Sequence, residues 1–272
     1  MKNYYTPSTN LSPEKKAIEE RFLKQLTDNT DDEIAKYRQK FGNELNTDNV
    51  RELSPDYEAN RSMSSAVHEP SSAFTKVLYK KMLAEPDPTG TNIVLFTAGG
   101  TGAGKSTAIK TIPNVASVKD KAQLIYDTNL NKFSSAVDKI DMALDANKKV
   151  AVTYIFADPV KAFDQSVERA IRMGRTVPIS EHVLTHEGSY KTIYQLADHY
   201  KDNPNFGIYV IDNTRGKGEA IATTLDSIKG KEYNVDALKK ELYERLEQKY
   251  KNKEISEKLY QGFNDQIKEL DK

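Results

Sequence analysis

The stretch Asn92-Ile93-Val94-Leu95-Phe96-Thr97-Ala98-Gly99-Gly100-Thr101-Gly102-Ala103-Gly104-Lys105-Ser106-Thr107 decides how the rest of the chain is read. It opens on a short apolar run, the pattern of a strand buried on both faces. It then turns through glycines into a segment of helical composition. Residues 99–106 satisfy G-x-x-x-x-G-K-[ST]. The glycines let successive backbone N–H groups turn inward around a phosphate, which side chains would obstruct. The helix that starts there adds its own unpaired N–H groups and dipole to anion binding. Lys105 is placed to reach the β- and γ-phosphates of a nucleoside triphosphate, and the Ser106 hydroxyl to ligate Mg²⁺. The expected nucleotide-binding residues are Gly99, Gly100, Thr101, Gly102, Ala103, Gly104, Lys105, Ser106 and Thr107. The bland alternative is a glycine-rich turn that matches by chance; the strand before it and the helix after it argue against that.

Outward from this loop, strand-like apolar runs recur at residues 123–126, 150–156 and 207–211. Helical stretches alternate with them over 105–111, 132–146, 160–172 and 189–200, the first stopped by Pro113. Such alternation predicts a parallel sheet covered on both faces. Residues 12–42 read as two helices: Ser12-Pro13 is a cap with a first-turn proline, Thr30-Asp31-Asp32-Glu33 matches a capping box, and Gly42 ends the second. Residues 43–70, rich in Asn, Asp, Ser and Pro, read as an ordered loop. A helix over 71–83 follows, with Phe74, Val77, Leu78 and Met82 on one face, and Pro86 and Pro88 break it. At the other end Val235, Leu238, Leu242, Leu246 and Tyr250 form one apolar stripe, and Ile255, Leu259, Phe263, Ile267 and Leu270 another. Two helices packed on the main domain explain both stripes; a partner-binding hairpin is the sharper alternative. The expected fold is α/β, a P-loop NTPase-type parallel sheet with helices on both faces and helical extensions at both ends. The divisions fall at 1–64 for the N-terminal extension, 65–228 for the core and 229–272 for the C-terminal hairpin.

Composition narrows the function. Forty Lys+Arg balance forty Asp+Glu, which speaks against a nucleic-acid binder acting through bulk basicity. The absence of cysteine rules out disulfides, thiolate catalysis and cysteine-based zinc sites. Residues 1–10 are polar, unlike a signal peptide, and no apolar run is long enough to span a membrane. A cytoplasmic location is expected, with export by a route that cleaves no signal left open.

A triphosphate site does not fix the reaction. For a GTPase, the Asp-x-x-Gly segment Asp87 to Gly90 lies on the wrong side of the loop, and Asn131-Lys132 lacks the Asp two places on. For a motor ATPase, Asp158 is followed by Pro159 rather than by a second acid. A small kinase remains, and it needs an acid near the acceptor hydroxyl and positive charge around the transferring group. Asp127 closes the second strand, where ligands gather in doubly wound sheets, with Thr128 and Asn129 as further acceptor-side groups. The competing reading has Asp127 or Asn129 capping the next helix. Asp158 before Pro159 is better read as an N-cap. Arg169, Arg172 and Arg175 recur every three residues beside Gly174. That suits a lid that closes over phosphates and excludes water, against the alternative of a solvated helix C-terminus. His182 and His186 have metal-ligand spacing, but Glu181 precedes the first His, so the metalloprotease motif is absent. Polar groups near the lid or satisfied structural imidazoles are the alternatives to a zinc site.

The phosphate loop, the strand ending in Asp127, Ala157-Asp158-Pro159 and Glu168-Arg169…Gly174-Arg175-Thr176-Val177-Pro178 together resemble the zeta-toxin family of P-loop kinases, over roughly residues 65–215. Val67-His68-Glu69-Pro70-Ser71 is similar to a segment preceding the loop in mobile-element relatives, where His68 reads as a loop-to-helix junction. The resemblance implies ATP- and Mg²⁺-dependent phosphorylation of a sugar hydroxyl on a nucleotide-type metabolite, UDP-N-acetylglucosamine-like or NAD-like. It also implies a toxin or effector role, with an antitoxin or inhibitor protein as partner. By carry-over Lys105 and Ser106 are loop residues, and Arg169 and Arg175 are the lid arginines; Arg172, from its place in the arginine run, is expected beside the nucleotide. That family has two acids on successive strands after the loop, whereas one strand is read here before residue 150. Either residues 115–118 supply the other strand or it is lost, so Asp127 is the catalytic base or the substrate-binding acid. The rival readings are a nucleoside or polynucleotide kinase, and a nucleotide-binding interaction module without transfer.

Overall fold

The computed structural model describes residues 1–216 and 218–265. Its strands are β1 (Glu44–Leu45), β2 (Ile93–Ala98), β3 (Leu124–Tyr126), β4 (Lys149–Phe156), β5 (Phe206–Asp212) and β6 (Ile221–Thr223). Two compact units divide them. One comprises Met1–Asn92 with Gln123–Asp127, the other Ile93–Ala122 with Thr128 onward.

The first unit holds α1 (Pro13–Asp28), α2 (Thr30–Phe41), α3 (Thr47–Arg51), α4 (Pro55–Ala59) and α5 (His68–Ala84). Ser12 caps α1 as its sequence requires, accepting from the Lys15 amide, and Gly42 ends α2 with φ 62°. The capping box at residues 30–33 does not form. Asn29 occupies the cap position, and the Thr30 hydroxyl turns back onto the Leu26 carbonyl, because α1 ends only one residue earlier. Residues 43–70 are not a loop: they contain β1, α3 and α4. Each of the two short helices is nucleated by an Asn or Ser whose side chain accepts an amide N–H, Asn46 for α3 and Ser54 for α4. β1 pairs in parallel with β3, Glu44 opposite Ile125 and Leu45 opposite Tyr126. Phe22, Leu26, Tyr37, Phe74 and Leu78 are buried in this unit, which fixes α5 by the apolar face its sequence predicts.

The second unit holds α6 (Lys105–Thr111), α7 (Pro113–Lys121), α8 (Phe133–Asp145), α9 (Pro159–Met173), α10 (Ile179–His199), α11 (Leu225–Ile228), α12 (Val235–Lys251) and α13 (Glu257–Phe263). β4 lies between β2 and β5 and is parallel to both, and β6 adds antiparallel to β5. The buried, uninterrupted apolar pattern of β4 follows from having a strand on each side. The pairing gives the mostly parallel α/β arrangement that the alternation of strands and helices predicts. Pro113 ends α6 but opens α7 at its first turn, where a missing N–H costs nothing. Residues 115–118 are therefore helical, and among the described residues β3 is the one strand between α6 and β4. α10 begins ten residues before the predicted position and so takes in both histidines.

Leu238, Leu242 and Leu246 of α12, with Ile255 and Phe263, pack against Phe163, Val167, Ile179 and Val183 of α9 and α10. Tyr250, the last residue of the predicted stripe, is exposed. Ile267 and Leu270 lie outside the described residues. Among the described residues no helix is long and apolar enough to cross a membrane.

Candidate phosphate-binding site

The loop leaves the buried end of β2 at Ala98 and re-enters regular structure at Lys105. Gly99 donates its N–H to the Asn129 carbonyl (3.1 Å), and Ala103 donates to Gly100 (3.2 Å). Gly102 has φ +75°, and a Cβ there would stand 2.3 Å from the Ala162 carbonyl oxygen. Only glycine meets both demands. The Lys105 ammonium donates to the carbonyls of Gly99 (3.0 Å) and Gly100 (3.2 Å) and to Asn129 Oδ1 (2.6 Å). Among the described residues the amide N–H groups of Gly102, Gly104 and Ser106 have no protein acceptor, and the Ser106 and Thr107 side chains are exposed. A half-buried ammonium, unsatisfied N–H donors and two hydroxyls form a donor set suited to a Mg²⁺-bound polyphosphate.

Two further elements hold the loop. Asn213, just past β5, donates its side-chain amide to the Ala103 carbonyl (2.8 Å). From α10, the Thr185 hydroxyl accepts the Thr101 N–H (3.0 Å), and His186 Nε2 lies 2.9 Å from the Thr101 carbonyl. The carbonyl can only accept, so His186 carries its proton on Nε2. The His186 ring fills the space beside Gly100, where a Cβ would come within 2.1 Å of it. One turn earlier, His182 Nε2 pairs with the Pro159 carbonyl (2.8 Å) at the start of α9. Burial lowers the His182 pKa to about 4. Burial, followed by the neighbouring His182, also holds His186 well below the ordinary imidazole range. Both imidazoles are thus neutral structural groups. Among the described residues no cluster of His, Asp or Glu is arranged to hold a metal.

The three residues expected on the acceptor side make different contacts. Asn129 joins the loop through Lys105 and Gly99. Thr128 is tied to Thr97 at the end of β2, through both its N–H and its carbonyl (3.0 Å each). Asp127 ends β3, and its carboxylate accepts from the Asn46 side-chain amide (2.5 Å). Neither Asp127 nor Asn129 caps the next helix, whose cap position is Lys132 with no side-chain bond. Asp158 does cap, accepting from the amides of Val160 (2.8 Å) and Lys161 (3.2 Å).

Arg169 and Arg172 lie one turn apart in the last part of α9, the first half-buried and the second exposed. Gly174 then takes the left-handed conformation (φ 73°) and closes the helix. Arg175 therefore sits on the segment leading to α10 rather than on the helical face of the other two. His68 is the first residue of α5, and its Nδ1 accepts from the Arg51 guanidinium (2.7 Å), a junction between α3 and α5.

Thr185, Asn213 and Asn46 were not singled out by motif, and His186 only as half of a histidine pair. They act across 80 or more residues of chain. The His182/His186 spacing was the one visible signal of a buried, hydrogen-bonding helix face.

No family model matches the chain, and no curated protein matches it. Among solved structures it is similar to the AvrRxo1-ORF1:AvrRxo1-ORF2 complex crystallised with sulphate ions, at 13% identity and a TM-score of 0.42, over 61% of this chain and 72% of that one. The native AvrRxo1-ORF1:-ORF2 complex matches at 11% identity and a TM-score of 0.42, over 60% of this chain and 71% of that one. Likeness at this distance assigns neither activity nor partner.

Proposed function

We propose that the chain is a kinase that transfers the γ-phosphoryl group of ATP to a hydroxyl of a nucleotide-type small molecule. The observation that carries this reading is the loop at residues 99–106, with its glycine-dependent close approach, its unsatisfied amides and Lys105 at its mouth. Mg²⁺, held through the Ser106 hydroxyl, would offset the charge of the β- and γ-phosphates. Lys105 neutralises charge from the loop side, and Arg169 and Arg175 supply it from the arginine segment while keeping water from competing as acceptor. Asp127 is the acceptor-side acid: it takes the hydroxyl proton as the new O–P bond forms and the bond to ADP breaks. A nucleotide-sugar or dinucleotide acceptor, and a role as a toxin or effector held in check by an antitoxin or inhibitor protein, rest on the motif resemblance to the zeta-toxin kinases. The test is acceptor-dependent conversion of ATP to ADP with phosphate recovered on the acceptor. Conversion that ignores the acceptor marks a hydrolase instead.

A further inference from the structure

We infer that Thr185 and His186 are positioning residues for nucleotide binding, acting through the first turn of the phosphate loop. The inference rests on the reading of residues 99–106 as that loop. Thr101 is the residue at which the loop turns, and α10 holds both of its backbone polar groups, one in each flanking peptide: the N–H by Thr185 (3.0 Å) and the carbonyl by His186 (2.9 Å). The Thr185 hydroxyl is fixed in turn, since it donates to the His182 carbonyl (2.9 Å) and so offers a lone pair to Thr101. Thr185 and His186 are nearly inaccessible to solvent, so water does not replace either bond. The Thr101 amide is thereby committed to α10, and the peptides on either side of it cannot rotate to satisfy themselves elsewhere. The following N–H groups, those of Gly102, Gly104 and Ser106, are left without protein acceptors among the described residues. Donors fixed before the ligand arrives cost no ordering when it binds. α10 also begins directly after the Arg175–Pro178 segment, so one helix carries the clasp and follows the arginines in the chain.

Thr185→Val and Thr185→Ser separate positioning from packing. Valine keeps the buried volume and loses the acceptor; serine keeps the hydroxyl. MgATP affinity is measured by calorimetry, alongside melting temperature. Thr185→Val is expected to bind MgATP about tenfold more weakly or worse, because it leaves the partly buried Thr101 N–H without its partner beside the site. Thr185→Ser is expected to recover most of the loss. His186→Gln, whose amide can still donate to the Thr101 carbonyl, should bind more tightly than His186→Leu, which serves as a second comparison if the valine variant does not fold. MgATP affinity for Thr185→Val within about twofold of the unaltered protein would overturn the inference. If the unaltered protein and Lys105→Ala bind MgATP equally, the phosphate-loop reading itself fails, and that result is distinct from the first.

Discussion

Asn46 donates its side-chain amide to the carboxylate of Asp127 at 2.5 Å, although 81 positions separate them. The parallel pairing of β1 with β3 sets Leu45 opposite Tyr126, so the next residue on each strand emerges beside the other. The Asp127 N–H bonds to the Leu45 carbonyl (2.8 Å). Asn46 cannot flip its amide, because its Oδ1 is held by the Asp48 N–H (2.7 Å) as the cap of α3. The carboxylate is therefore oriented from one side by a fixed donor.

This pair predicts two kinetic outcomes. Asp127→Asn removes the acid and should lower transfer about a hundredfold or more while MgATP affinity is retained. Asn46→Asp preserves the α3 cap, since aspartate caps as well as asparagine. It exchanges the donor for a second carboxylate and should cut turnover clearly with little change in melting temperature. Full transfer by Asp127→Asn would remove Asp127 from the chemistry.

Gly100→Ala should loosen the loop while keeping every N–H donor and the Lys105 ammonium. Its Cβ would meet the His186 ring at 2.1 Å, so either the loop or the ring must move. MgATP binding weakens in the single variant, and adding His186→Ala recovers part of the loss by opening space. Strict additivity of the two changes would show that Gly100 and His186 do not press on one another.

The buried imidazoles make stability depend on pH. The His182 pKa falls from 6.5 to about 4 on folding, chiefly through desolvation. Between these values the unfolded chain binds a proton that the folded one does not, so stability rises with pH across that window. Above pH 6.5 the contribution is fully present; below about 4 both states are protonated and the loss is complete. The full difference is on the order of 3 kcal/mol, and His186, shifted in the same direction, adds to it. Urea unfolding at pH 7 and pH 5 measures the slope, which His182→Gln should reduce. An unchanged slope in that variant would show that His182 titrates alike in both states.

The loop, strands β2 to β5 and the helices carrying broad apolar stripes were legible in the sequence because each is a local pattern with its own period; the three-residue β6 was not. The elements missed were those set by tertiary partners. β1 is two residues long and exists because β3 lies beside it. The start of α10 at Ile179 was hidden because its first half is buried on several sides and mixes Ser, Thr and His into the apolar face. Thr30-Asp31-Asp32-Glu33 has the composition of a capping box, yet α1 runs straight into α2 and leaves the box no free first turn. At the candidate site, motif spacing singled out Lys105 and Ser106. It was silent on Thr185, Asn213 and Asn46, whose contacts depend on where distant chain returns.

The most direct measurement is mass spectrometry of small molecules after incubation with ATP and Mg²⁺. The panel holds UDP-N-acetylglucosamine, related UDP-sugars, NAD, nucleosides and a 5′-hydroxyl oligonucleotide, with Lys105→Ala as the control. The kinase assignment predicts that one nucleotide-type acceptor gains a single phosphate with the unaltered protein and none with Lys105→Ala. ATP bound in the presence of every acceptor, with no phosphorylated product, would contradict it and leave a nucleotide-binding module without transfer.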